Sequence, residues 1–109
     1  MNFDITHGFE RDCKRLAKRY RSLEEDIGEL KKVLALFPAG NGKHFATLVE
    51  TDMVKIIKAR LFCRYLKGSS LRVIYAYNEE AEQINFIELY FKGDQETENE
   101  ARIKAYLKG

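Results

Sequence analysis

Residues 55–92 read KIIKARLFCRYLKGSSLRVIYAYNEEAEQINFIELYFK, and this stretch decides the fold. β-branched and aromatic residues dominate over 54–66, 71–77 and 83–92, the composition of strands. The intervening segments, 67–70 and 78–82, are short enough for hairpins. Three adjacent antiparallel strands follow.

Side chains alternate across a strand, so parity sorts each one into two faces. Ile57, Ala59, Leu61, Cys63 and Tyr65 share one face with Leu71, Val73, Tyr75 and Tyr77, and with Asn85, Ile87, Leu89 and Phe91. This mainly apolar set is expected to pack on helices. The opposite face gathers Lys58, Arg60, Phe62, Arg64, Arg72, Ile74, Ala76, Ile84, Phe86, Glu88, Tyr90 and Lys92. Several cations on one sheet face repel each other, whereas a structural role favours mixed signs. A solvated face can carry Lys and Arg without purpose. The aromatic residues among the cations favour a ligand instead: cations hold phosphates, and rings stack on the unpaired bases of single-stranded RNA.

Upstream of the strands, residues 2–5 alternate weakly and suggest a short first strand. Thr6 is placed to cap a helix starting near Gly8, in which Phe9, Cys13, Leu16, Ala17 and Tyr20 form one stripe. Ser22-Leu23-Glu24-Glu25 has the form of a capping box. It opens a second helix with the stripe Leu23, Ile27, Leu30, Leu34 and Phe37, stopped by Pro38 and Gly40. The short junction predicts an antiparallel α-hairpin. Residues 38–53 show no sustained period and read as a long loop, with at most a turn of structure around 45–49. Their PAGNGK segment lacks the Lys-Ser/Thr pair of a phosphate loop, since His44 follows Lys43. Downstream, Thr97-Glu98-Asn99-Glu100 has the form of another capping box, opening a helix through Leu107 with Ile103, Tyr106 and Leu107 on its apolar side. The expected class is α+β, ordered β-α-α-β-β-β-α, in a single domain spanning 1–109.

Bulk properties narrow the function. No apolar run reaches the roughly 18 residues of a membrane span, and no basic-then-apolar leader opens the chain. Cys13 and Cys63 are the only cysteines, neither near a second ligand at metal spacing. Reduced thiols in a cytoplasmic protein without metal or cofactor are expected. The net charge of +2 conceals an asymmetry: residues 43–75 carry seven basic and two acidic side chains, residues 78–109 four basic and eight acidic. The basic excess coincides with the middle strands.

Three phrases resemble the RelE/ParE superfamily of type II toxin–antitoxin toxins. Residues 9–20, FERDCKRLAKRY, are similar to that family's first helix. ARLFCR, LRVIYAY and FIELYFK, at 59–64, 71–77 and 86–92, resemble its central strands. The resemblance implies a RelE-like fold and a toxin that cuts messenger RNA on the ribosome without a metal. It also implies a protein antitoxin as partner. In the ribonuclease members the 2′-hydroxyl attacks the neighbouring phosphate, which requires a base, an acid and cations. By the same resemblance Arg72 holds the phosphate, Lys92 lies near the leaving oxygen, and Arg64 stands where members carry Lys or Arg. Glu88 is a candidate base or an orienting residue for Arg72 or Arg64, and Tyr90 a candidate for stacking or proton transfer. Lys58, Arg60, Phe62 and Phe86 extend the RNA track. The basic face lacks a histidine, with His7 read as a helix-start residue and His44 as a loop residue. Two other outcomes stay open: a gyrase-inhibiting toxin of the same superfamily, which needs no convergent Arg64, Arg72, Glu88 and Lys92, and a non-enzymatic RNA-binding member.

Overall fold

The computed structural model describes residues 1–64 and 71–109. The elements are β1 (Asn2–Ile5), α1 (His7–Ala17), α2 (Leu23–Leu36), β2 (Phe45–Glu50), β3 (Lys55–Leu61), β4 (Leu71–Asn78), β5 (Gln83–Phe91) and α3 (Glu100–Lys108). They form an α+β fold around one five-stranded sheet of order β1-β5-β4-β3-β2. β1 pairs parallel to β5, and the remaining pairs are antiparallel. Three antiparallel strands thus occupy the centre, as their composition predicts. The expected continuation of the first of these to Leu66, the placing of Tyr65 and the turn at 67–70 lie outside the described residues.

The element order gains a strand that periodicity does not reveal. Residues 45–50 form β2, an edge strand registered on β3 through pairs such as Phe45↔Ala59 and Glu50↔Lys55. A register shift between Thr47 and Val49 breaks the alternation. The segment therefore carries no clean period of two, and it reads as loop.

The first layer is the α1–α2 side. Thr6 caps α1, its hydroxyl accepting from Phe9 N–H at 3.2 Å. The α1 residues Phe9 and Leu16 join Tyr20, Leu23, Leu30 and Leu34 against Ile57, Ala59, Leu61, Leu71, Val73, Tyr75, Ile84, Phe86 and Leu89. Ser22 stands at the head of α2 but makes no capping bond. Its hydroxyl donates to Asp26 at 2.6 Å, so the capping box read from Ser22 and Glu25 does not form.

The second layer corrects the expectation that the aromatic rings of the opposite face stand exposed among its cations. Ile56, Ile74, Ala76, Ile87, Tyr90 and Ile103 form a smaller core there, with Leu48, Val49, Val54 and Tyr106 against it. α3 covers this part of the sheet. Asn99, not Thr97, caps α3, its side chain accepting from Arg102 N–H at 3.3 Å. The helix starts two residues later than its sequence suggests because Glu88 captures Asn99 N–H at 2.8 Å.

A bulge in β5 reassigns several side chains. Ile74 faces Glu88 while Tyr75 faces Phe86, leaving Ile87 as the extra residue. Downstream of the bulge, parity is as expected: Leu89 joins the larger core and Tyr90 the smaller one. Upstream it inverts, and Ile84 and Phe86 turn to the helices. Phe86 is fully buried, its ring 5.1 Å from that of Phe9 and 6.1 Å from that of Phe3. It cannot stack on a base. Its burial instead contributes about 1.5–3 kcal/mol to folding.

Arg102 ties the two layers together. Its guanidinium donates to Ile87 C=O at 2.6 Å and pairs with the buried Asp12 at 3.0 Å. Asp12 also accepts from Leu89 N–H at 3.0 Å. One buried carboxylate thereby links α1, β5 and α3. Gly8 leaves room for this, since a Cβ there would collide with the Arg102 guanidinium.

Candidate nucleic-acid interface

α3 leaves one part of the second face open. A cleft of about 190 Å³ lies there, lined by Lys43, His44, Phe45, Ala46, Lys58, Arg60, Arg72 and Lys92. Five cations surround it, and no carboxylate lines it among the described residues. Arg60 and Arg72 are direct cross-strand partners on β3 and β4, and such side chains begin about 5 Å apart. Lys92 follows directly on β5. The sheet brings these residues together from three strands and the β2 approach.

Depth differs among the cations. Arg72 is 9% exposed and donates to its neighbour Leu71 C=O at 3.2 Å. Burial and the neighbouring Arg60 hold its guanidinium below the ordinary arginine value, with Tyr90 acting in the opposite sense. Arg60, Lys43 and Lys92 are exposed. Lys58 marks the border with α3, donating to Glu98 at 2.9 Å. For Glu98, burial works to raise the carboxyl, but the hydrogen bond and charge of Lys58, with a backbone bond, hold it below its ordinary value. A cleft of this kind suits a phosphate held between a buried guanidinium and more exposed cations.

Four other residues selected from sequence have different positions. Glu88 is 1% exposed and spent on α3: it accepts from Asn99 N–H at 2.8 Å and Gln95 Nε2 at 2.7 Å, with Arg102 at 3.8 Å. Both carboxylate oxygens are committed, so its candidacy as a base is withdrawn. Tyr90 lies opposite Arg72 but is 2% exposed within the smaller core, which rules out stacking. Burial, then Glu98 and Glu88, push its phenol up to about 12, against the pull of Arg72. Arg64 falls beyond β3 and pairs with Glu25 at 3.1 Å, while its N–H donates to Asp26 at 3.3 Å. It therefore stands against the first turn of α2 and does not line the cleft. Phe62 is 54% exposed and also lies past the end of β3.

His44 and Lys43 escape a sequence reading. His44 lies in the supposed loop, yet the pairing of β2 with β3 carries it to the cleft. Arg60 N–H donates to His44 C=O at 3.0 Å, and the imidazole meets Phe62 edge-on at 5.0 Å. The turn before it uses Gly40 at φ 88° and Gly42 at φ 85°, a region glycine enters freely. A Cβ at Gly40 would strike the Phe45 ring. The signal available in the sequence was the pair of glycines just ahead of Lys43 and His44.

No helix among the described residues is long and apolar enough to cross a membrane. No protein-family model matches the chain, and no curated protein does. Among solved structures, the chain is similar to one in the crystal structure of the archaeal RelE–RelB complex from Pyrococcus horikoshii OT3, at 22% identity and a TM-score of 0.65. The match covers 84% of this chain and 94% of that one. With its paired N-terminal helices, five-stranded mixed sheet and C-terminal helix, the chain has a RelE-like fold.

Proposed function

We propose that the chain is the toxin of a toxin–antitoxin pair, a single domain that cleaves messenger RNA on the ribosome and so stops translation. The observation that carries this reading is the open cleft of Lys43, Lys58, Arg60, Arg72 and Lys92, lined by no carboxylate among the described residues. It lies on a face that α3 otherwise closes. A phosphodiester held among these cations would lower their mutual repulsion. Arg72 is the phosphate anchor, Lys92 stabilises the leaving oxygen, and Arg60, Lys58 and Lys43 track the backbone. Phe62, exposed beside His44, is available to a base. The RelE–RelB complex supports a protein antitoxin as partner; acidic residues on it would complement the same cleft.

Induced expression tests the reading. Growth stops and translated messages acquire cuts, while Arg72→Ala with Lys92→Ala permits growth and leaves messages whole. Growth arrest with intact messages and failed supercoiling overturns the ribonuclease in favour of a gyrase binder. RNA binding without growth arrest identifies a non-enzymatic RNA-binding protein, which the commitment of Glu88 and the burial of Tyr90 favour as the second reading.

A further inference from the structure

We propose that His44 is the proton acceptor of the cleft, an inference that rests on the ribonuclease reading above. A 2′-hydroxyl can attack phosphorus efficiently only if a nearby group removes its proton. Glu88 is occupied by Asn99, Gln95 and Arg102. Tyr90 is buried beside its cross-strand partner Arg72, and Glu98 is held by Lys58. Among the described residues lining the cleft, His44 alone carries an imidazole, the side chain most often used as a general base.

Its setting supports the role. The backbone is fixed by the Arg60 N–H bond and by the start of β2, and the ring rests edge-on against Phe62. Nδ1 is buried and has no hydrogen-bond partner among the described residues. Packing, and not a structural hydrogen bond of Nδ1, orients the imidazole. Such orphaned polar atoms are uncommon in folded proteins; because Nδ1 is buried, the proton of a substrate hydroxyl would pass to Nε2. The charged groups around it are Lys43 from the loop, Lys58 and Arg60 from β3, Arg72 from β4 and Lys92 after β5. On its other side, Asp26 and Glu29 of α2 line a groove that His44 shares.

The step balances without an added reagent. The 2′-oxygen bonds to phosphorus as its proton passes to the imidazole of His44. The bond from phosphorus to the 5′-oxygen breaks, and its electron pair leaves with that oxygen. Lys92 donates a proton to it and recovers one from solvent. The products are a 2′,3′-cyclic phosphate and a 5′-hydroxyl, and His44 later returns its proton to water.

The test is single-turnover cleavage of a ribosome-bound message across pH, using the full chain and the variants His44→Gln and His44→Phe. The second keeps a ring against Phe62 and removes both nitrogens. Circular dichroism melting establishes that each variant folds, and binding of a single-stranded oligoribonucleotide is measured beside it. Each variant should cut about 100-fold more slowly, lose the wild-type fall in rate toward acid pH, and bind the oligonucleotide as before. A folded His44→Phe that cuts at the wild-type rate with the wild-type pH profile overturns the assignment to His44 alone. A loss of rate matched by an equal loss of oligonucleotide affinity also overturns it, making His44 a binding residue. If the wild-type chain leaves the message whole, the ribonuclease reading falls and takes this assignment with it.

Discussion

Arg60 and Arg72 face each other directly across β3 and β4, two like charges in one cross-strand pair. Burial and Arg60 together depress the Arg72 guanidinium. Like charges placed directly opposite each other cost stability, of order 0.2–1 kcal/mol, and on the function proposed above an RNA phosphate would offset that cost.

Arg60→Ala should therefore separate stability from binding. Thermal melting should show the variant as stable as the parent or slightly more so. Oligoribonucleotide affinity should drop, and the slope of log affinity against log salt should shrink by about 0.7, as expected when one fewer single-strand phosphate is neutralised. A variant that melts early and binds normally would mean that Arg60 is a structural residue.

Glu88 predicts the opposite separation. Its carboxylate anchors the α3 N-terminus through Asn99 and draws in Arg102. Glu88→Ala leaves those donors unpaired and should cost about 1–3 kcal/mol in urea denaturation. Hydrogen exchange should rise first in α3. In the folded fraction, cleavage chemistry should persist, because Glu88 does not line the cleft.

Phe86→Ala should behave as a core deletion. The ring is fully buried against Phe9, so the loss should be about 3–5 kcal/mol. Oligonucleotide affinity per folded molecule should stay constant. A selective loss of affinity with normal stability would restore Phe86 to the RNA track.

Alkaline pH offers a test of the smaller core. The folded phenol of Tyr90 is raised from 10.0 to about 12, chiefly by burial. A raised folded value means its stabilising contribution is complete below pH 10 and disappears as pH climbs from 10 through 12. Tyr75, also raised by burial, acts in the same direction. Melting temperature should fall across that window, and Tyr90→Phe should flatten part of the fall. In the same experiments the Cys13 thiol, raised to about 11 by burial and then Asp12, should react slowly with thiol reagents at pH 8.

Much of the fold was legible because its signals are local. Thr6 caps the helix it precedes, the stripe from Phe9 to Tyr20 falls at helical spacing, and the central strands declare themselves by β-branched and aromatic residues. The candidate site was legible in part. Lys58, Arg60, Arg72 and Lys92 converge as parity implies, since each lies where the alternation is unbroken.

The sequence by itself determined the α+β class, the three central strands and the cationic character of one face. Alternation and capping depend on near neighbours, and those neighbours are written consecutively in the chain. Only the tertiary structure decided which side chains reach the cleft. The bulge at Ile87 turned Phe86 inward, the docking of α3 consumed Glu88, and the pairing of β2 with β3 delivered His44. Each depends on contacts between distant segments, whose geometry no local period encodes.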